Sequence, residues 1–101
     1  MIFMRKFDPS RHLTSPEAIA AYLNETLKMD DTEAFISALG DVAKAQGMSE
    51  IAKRAGVRRE SLYKSLSSDG NPQFSTIIKV LNALDVEFDM HPVHSEQPIY
   101  A

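Results

Sequence analysis

The chain has 101 residues, of which 44% are hydrophobic, and its 11 Lys and Arg against 14 Asp and Glu give a formal net charge of −3. This length predicts a single domain, residues 1–101, with one modest core. The absence of cysteine excludes disulfides and thiolate metal sites, and no apolar run reaches the roughly 20 residues of a membrane span. The first residues contain no apolar signal-peptide region, so we expect a cytoplasmic protein.

Two helices are predicted after an N-terminal extension, residues 1–14. Ser15 and Pro16 are a favoured N-cap and first-turn pair, and the helix that they begin runs to about Met29. Its apolar residues recur on one face: Ile19, Tyr22, Leu23 and Leu27. Asp30 and Asp31 then cap a second helix, which we expect to end at a left-handed Gly47. Its apolar stripe comprises Phe35, Ile36, Leu39, Val42 and Ala43.

Residues 48–66, MSEIAKRAGVRRESLYKSL, have the pattern of a helix-turn-helix. Two short helices that cross through a tight turn need a small side chain at the crossing, and Ala52 provides it. Gly56 accepts the positive φ that the turn requires, and Ser49 is the predicted N-cap of the first motif helix. The residues assigned to the motif's structure are Ile51, Ala52, Gly56, Val57 and Leu62.

The turn-forming residues 67–72 predict a loop, and a last helix follows at about residues 73–84. The apolar residues of this helix that recur at the spacing of a buried face are Phe74, Ile77, Ile78 and Leu81. The helical body is therefore predicted to span residues 15–84. In the C-terminal segment 85–101, Val86, Phe88 and Met90 alternate with Glu87 and Asp89, which is typical of a strand at 86–90. A lone strand needs a partner, so we expect it to take part in a dimer; the alternative is an extended tail packed on the body.

Charge is unevenly distributed along the chain. Residues 48–66 carry five Lys and Arg against two Glu, a net charge of +3. We expect all five cations to lie on free surfaces and to be available for phosphates: Lys53, Arg54, Arg58, Arg59 and Lys64. Residues 15–41 carry one Lys against six acids, a net charge of −5. A locally positive surface on an acidic protein can hold phosphates while binding random DNA weakly, which suits a regulator that must find one site.

Several stretches together resemble a known family. They are FDPSRHL at 7–13, YLNETL at 22–27, ALGDVAKAQGMSEIAKRAGVRRESLYKSLS at 38–67 and GNPQFSTIIKVLNAL at 70–84. The chain resembles the prophage-type antidote proteins of addiction modules, a HigA-like branch of the Xre-type helix-turn-helix DNA-binding family. This resemblance implies a mainly all-α, five-helix domain similar to the lambda repressor, with a short C-terminal strand.

The resemblance also implies a function. Such a protein is the antitoxin of a type II toxin-antitoxin module: it neutralises a RelE/ParE-type toxin and represses the operon that encodes both. Two alternatives remain open, namely a prophage transcriptional regulator without a cognate toxin and a protein-interaction module whose helix-turn-helix is only a scaffold. We expect a homodimer on double-stranded operator DNA. Three contact surfaces are open for the toxin, namely the acidic first helix, residues 7–13 and the C-terminal tail, and we favour the acidic side.

The second motif helix is predicted to lie in the major groove, with its N-terminal residues nearest the bases. Arg58 and Arg59 are candidates for guanine contacts. The full set of predicted DNA-binding residues is Ser49, Lys53, Arg58, Arg59, Ser61, Tyr63 and Lys64. The family pattern usually has a capping residue such as Ser where Arg58 stands, so the cap is missing here and we hypothesise a DNA contact instead; the alternative is a solvated arginine.

Enzymatic activity is not expected. The sequence contains no Gly-rich phosphate loop, no cysteine nucleophile and no HExxH or GxSxG motif. His91 and His94 lie three residues apart beside Pro92 with no cysteine nearby, which is a poor metal-site pattern. We therefore expect no metal and no cofactor.

Overall fold

A computed structural model of the chain describes residues 15–67 and 70–93. These residues form five helices: α1 Pro16–Lys28, α2 Thr32–Gln46, α3 Met48–Ala55, α4 Arg59–Ser65 and α5 Phe74–Ala83. The prediction of a mainly helical protein is therefore confirmed. None of these helices has the length and apolar character needed to cross a membrane. The predicted extension 1–14 and the tail from His94 lie outside the described residues.

The first two helices begin at the predicted caps. Ser15 Oγ accepts a hydrogen bond from the Ala18 amide at 3.1 Å, and Asp31 Oδ1 accepts one from the Ala34 amide at 3.2 Å. Each side chain satisfies a backbone N–H that has no partner within its helix. Local sequence chemistry thus determines where α1 and α2 start.

A single residue, Gly47, links α2 and α3. Its φ of 105° is a backbone angle that residues with a side chain rarely adopt. Its ψ of 103° differs from the predicted left-handed helical value. Gly47 is also the N-cap of α3, so the prediction that Ser49 caps this helix is wrong. Because Gly47 alone separates α2 from α3, α3 starts at Met48 and Ser49 lies inside its first turn.

The core lies around α3, which packs on α2, α4 and α5, while α1 packs on α2. Buried hydrophobic residues come from all five helices and their ends: Ile19, Leu23, Phe35, Ala38, Leu39, Val42, Ala43, Met48, Ile51, Ala52, Ala55, Leu62, Leu66, Val80, Leu81, Ala83 and Leu84. Two predicted core residues are exposed instead, Leu27 at 46% and Phe74 at 66%. Both occupy helix ends: Leu27 lines a groove beside the last turn of α1, and Phe74 is the first residue of α5.

The predicted strand at 86–90 does not form in the described chain, where these residues have no regular secondary structure. Asp85 takes a left-handed conformation with φ of 64°, and the Val86 amide donates to the Leu81 carbonyl at 2.9 Å, which ends α5. The Phe88 ring then packs 6.2 Å from Phe35 and 5.9 Å from Phe74, measured between ring centroids. The alternation in the sequence therefore reflects an irregular segment packed on the helical body, since no neighbouring described strand provides a ladder.

Gly40 allows the end of α4 to approach α2 closely. A Cβ atom at Gly40 would lie 2.7 Å from the Leu66 carbonyl oxygen and 3.3 Å from the Leu66 Cβ. The first distance is far below ordinary van der Waals contact, and the atom concerned belongs to the backbone. Gly40 is therefore required for space, although it lies in the middle of a helix where glycine is otherwise unfavourable.

We predict that Gly40→Ala lowers the free energy of unfolding by about 1 to 3 kcal/mol, because a methyl group would force Leu66 and the end of α4 away from α2. At an unhindered helical position the same change would stabilise by roughly 0.5 to 1 kcal/mol, so the sign of the effect is diagnostic. Urea denaturation followed by circular dichroism measures it. Ser37→Ala, an exposed change on the same helix, is the control and should shift stability by less than about 0.5 kcal/mol. A Gly40→Ala protein more stable than the wild type would contradict the close approach.

Candidate nucleic-acid interface

Helices α3 and α4 are joined by a tight turn at Gly56, whose φ of 74° and ψ of 33° are left-handed. The Gly56 amide donates to the Lys53 carbonyl at 3.2 Å, and the Val57 amide donates to the Ala52 carbonyl at 3.0 Å. These bonds satisfy carbonyls at the end of α3. No described atom lies within 4 Å of the position that a Gly56 Cβ would occupy. Glycine is thus favoured here by backbone conformation and not by lack of space.

The crossing of the two helices is closely packed. Ala52 is 3% exposed and Leu62 is 1% exposed. Ile51 is also buried, and the partly buried Val57 packs against the same core. All five residues assigned to the motif's structure therefore lie at the turn or in the core beneath it.

Helix α4 contributes little to the core. Of its seven described residues, Leu62 alone is buried, and Leu66 follows directly after the helix as a second buried anchor. Arg58 is the N-cap residue with extended backbone, and its side chain makes no capping hydrogen bond. Within the described chain, α4 therefore starts without a side-chain cap. Its residues other than Leu62 face solvent at least in part.

Every predicted DNA-binding residue is exposed and lies on α3, on α4 or in the turn between them. The set comprises Ser49, Lys53, Arg58, Arg59, Ser61, Tyr63 and Lys64. Ser61 and Lys64, one helical turn apart, line the same shallow depression. The geometry leaves the cations accessible to phosphates and leaves arginine side chains at the start of α4.

Tyr63 is held by a residue that the sequence interpretation did not include. The Lys44 ammonium group on α2 lies 5.0 Å from the centroid of the Tyr63 ring, within the range of a cation–π interaction. Tyr63 remains 46% exposed. Lys44 therefore adds a cation beside α4, and no motif spacing could have indicated it because α2 is distant in sequence.

Arg54 has a structural contact that the other motif cations do not make with any described residue. Its Nη1 donates to the Ala83 carbonyl at 3.0 Å, and its Nε donates to Glu50 Oε2 at 3.2 Å. The first bond attaches α3 to the last residue of α5. The expectation that all five motif cations are left free for phosphates is therefore wrong for Arg54, which is engaged within the protein.

The fold thus defines a small helical protein with an exposed basic surface on two consecutive short helices. Residues 3–92 match a protein family described as "Probable addiction module antidote protein". A Haemophilus influenzae protein described as "Uncharacterized protein" is 52% identical over 87 residues, which are 86% of this chain and 90% of that protein. No solved structure matches the chain. The chain belongs to the family of probable addiction module antidote proteins.

We predict that two neighbouring changes on α3 have different consequences: Arg54→Ala lowers stability, whereas Lys53→Ala weakens DNA binding. Loss of Arg54 removes the bond to Ala83 and should lower the free energy of unfolding by about 1 kcal/mol. Lys53→Ala should change stability by less than about 0.5 kcal/mol but weaken DNA binding through a lost phosphate contact. Denaturation curves and DNA titrations of both variants test this pair. Equal stabilities of the two variants would contradict the structural role of Arg54.

Proposed function

We propose that this chain is an antidote that binds operator DNA through α3 and α4 and represses the operon of its toxin. In this proposal α4 lies in the major groove, and Arg58 and Arg59 at its start contact base edges. Ser61 reads a base or a phosphate. Tyr63, Lys64, Lys53 and Ser49 contact the phosphate backbone and fix the orientation of the helix.

One observation carries the DNA-binding proposal: α4 buries Leu62 and leaves Arg59, Ser61 and Lys64 exposed, with Arg58 exposed at its N-cap. A helix that served only as a scaffold would have no need of this concentration of cations. The net charge of +3 over residues 48–66 in a chain of net charge −3 has the same implication, because the cations are concentrated in one segment. Such a surface attracts phosphate groups while the rest of the molecule repels them.

The proposal includes a homodimer on DNA and a toxin of the RelE/ParE type. A single seven-residue helix reaches few base pairs, and helix-turn-helix proteins commonly use two half-sites about one helical turn apart. The family description supports the antidote role, which requires a toxin partner. The toxin class comes from the resemblance to HigA-like antidotes.

The test is a binding titration of the full chain against DNA from the region upstream of its own gene and against a scrambled duplex, at two salt concentrations. We expect tighter binding to the upstream DNA. Arg59→Ala/Lys64→Ala should weaken that binding by at least about tenfold, because it removes a base contact and a phosphate contact.

The matched control is Lys28→Ala/Lys79→Ala, which removes the same number of charges from exposed positions on α1 and α5. Its affinity for the upstream DNA should stay within about twofold of the wild type if the effect is local. Equal weak binding of the wild type to both duplexes would reject the repressor and favour the scaffold alternative. Specific DNA binding in a cell that encodes no toxin would favour the prophage regulator.

We predict that Arg58→Ser stabilises the protein and weakens its binding to DNA. A serine N-cap should raise the free energy of unfolding by about 0.5 to 2 kcal/mol, because α4 begins without a side-chain cap. The same change should weaken binding to the upstream DNA and lower its salt dependence, because one cation is lost. Thermal unfolding and salt-dependent titration measure the two effects. Unchanged affinity and salt dependence would show that Arg58 is a solvated arginine.

A further inference from the structure

We propose that the groove between α1 and residues 86–91 is the docking site for a basic, amphipathic segment of the toxin. This inference rests on the proposed antidote function and goes beyond it by assigning the toxin to one surface. The surface shares no residue with the proposed DNA interface.

The groove has a volume of about 500 Å³ and is bounded by two elements. Leu27 and Lys28 belong to the last turn of α1 on one side, and Glu87, Phe88 and Asp89 form the other. The buried residues Leu23, Phe35 and Leu81 also line it. The groove is therefore lined by apolar side chains from the core and has charged residues at its edges.

Exposed apolar side chains accompany this groove. Leu27 within it is 46% exposed and Phe88 is 36% exposed, and nearby in the sequence Met90 and Val93 are 90% and 87% exposed. Phe74, which stacks on Phe88, is 66% exposed. A concentration of large exposed apolar side chains around a groove is typical of a surface that binds another protein.

The charge of the bounding elements identifies the chemistry of the partner. Helix α1 carries Glu17 and Glu25 against Lys28, which lines the groove and is itself paired with Glu25 at 3.4 Å. Residues 86–91 add Glu87 and Asp89, which both line the groove, without a Lys or Arg. A cationic partner would gain from these carboxylates both in the rate of encounter and in orientation.

The same charges disfavour two other occupants. A second copy of this chain would bring its own acidic edges against these ones, and like charges placed together across an interface are unfavourable. Nucleic acid would be repelled by the same carboxylates. A segment that presents apolar side chains to Leu27 and Phe88 and cations to Glu87 and Asp89 satisfies both features of the groove.

The first experiment titrates the wild-type chain with the purified protein encoded by the gene adjacent to its own, by calorimetry and without DNA. Leu27→Ala removes an apolar contact of the groove and should lower the affinity by about tenfold. Met29→Ala is the matched control, since Met29 is also an exposed apolar residue, two positions away, and does not line the groove. It should leave the affinity within about twofold of the wild-type value.

The second experiment tests the charges. Glu87→Lys/Asp89→Lys should lower the association rate and the affinity by at least about tenfold at low salt, with a smaller effect at high salt. Glu33→Lys/Glu60→Lys makes the same change in net charge at exposed positions outside the groove and should have a much smaller effect. Circular dichroism and binding to the upstream DNA confirm that the Leu27 and Glu87/Asp89 variants remain folded.

The outcomes separate this inference from the proposed function. Wild-type binding that is insensitive to Leu27→Ala and to the Glu87/Asp89 reversal would overturn the groove while leaving the antidote role intact. Absence of wild-type binding to the neighbouring gene product would overturn both. If Leu27→Ala instead dissociates a dimer in sedimentation experiments and leaves toxin affinity unchanged, the groove is occupied by a second copy and the inference is wrong.

Discussion

The packing of the short helix α3 is the constraint on which the rest of the structure depends. An isolated helix of eight residues is not stable in water, so α3 exists because α2, α4 and α5 cover it. Ile51 and Ala52 are buried at this junction, and the small side chain of Ala52 allows the neighbouring backbones to approach. A larger residue would displace α4 from the core. The position of the candidate DNA-binding residues on α4 therefore depends on the packing of α3.

Stability and binding make opposite demands on α4, and the structure meets both by anchoring the helix at one end. Its start has no side-chain cap, because Arg58 stands at the N-cap. Its far end is fixed by Leu62 and Leu66 in the core and by the close approach of Leu66 to Gly40. The exposed start of the helix can then carry cations, whose burial would be unfavourable without partners. Tertiary contacts at the C-terminal end thus replace the local interactions that usually stabilise a helix start.

The parts of the fold that the sequence predicts are those that depend on neighbours within a few positions. The caps at Ser15 and Asp31 act over three residues, and they are found where the pattern places them. The bond from Arg54 to Ala83 spans 29 positions, and the need for Gly40 arises from a residue in another helix. No periodicity contains that information. The alternation around Phe88 was misleading for a related reason, because one-sided packing on helices and pairing in a sheet produce the same pattern of apolar residues.

The opposite charges of the two proposed surfaces suggest how one small chain can direct DNA to one surface and its toxin to the other. Phosphates are attracted to α3 and α4, where Arg59 and Lys64 are exposed, and are repelled by the carboxylates of Glu87 and Asp89. A cationic toxin experiences the reverse. In this proposal each surface discriminates against the ligand of the other, which is specificity by repulsion as well as by attraction. Because the surfaces share no residue, a toxin segment in the groove would occupy none of the proposed DNA-binding residues. If the toxin changes DNA affinity, then by linkage DNA changes toxin affinity by the same factor.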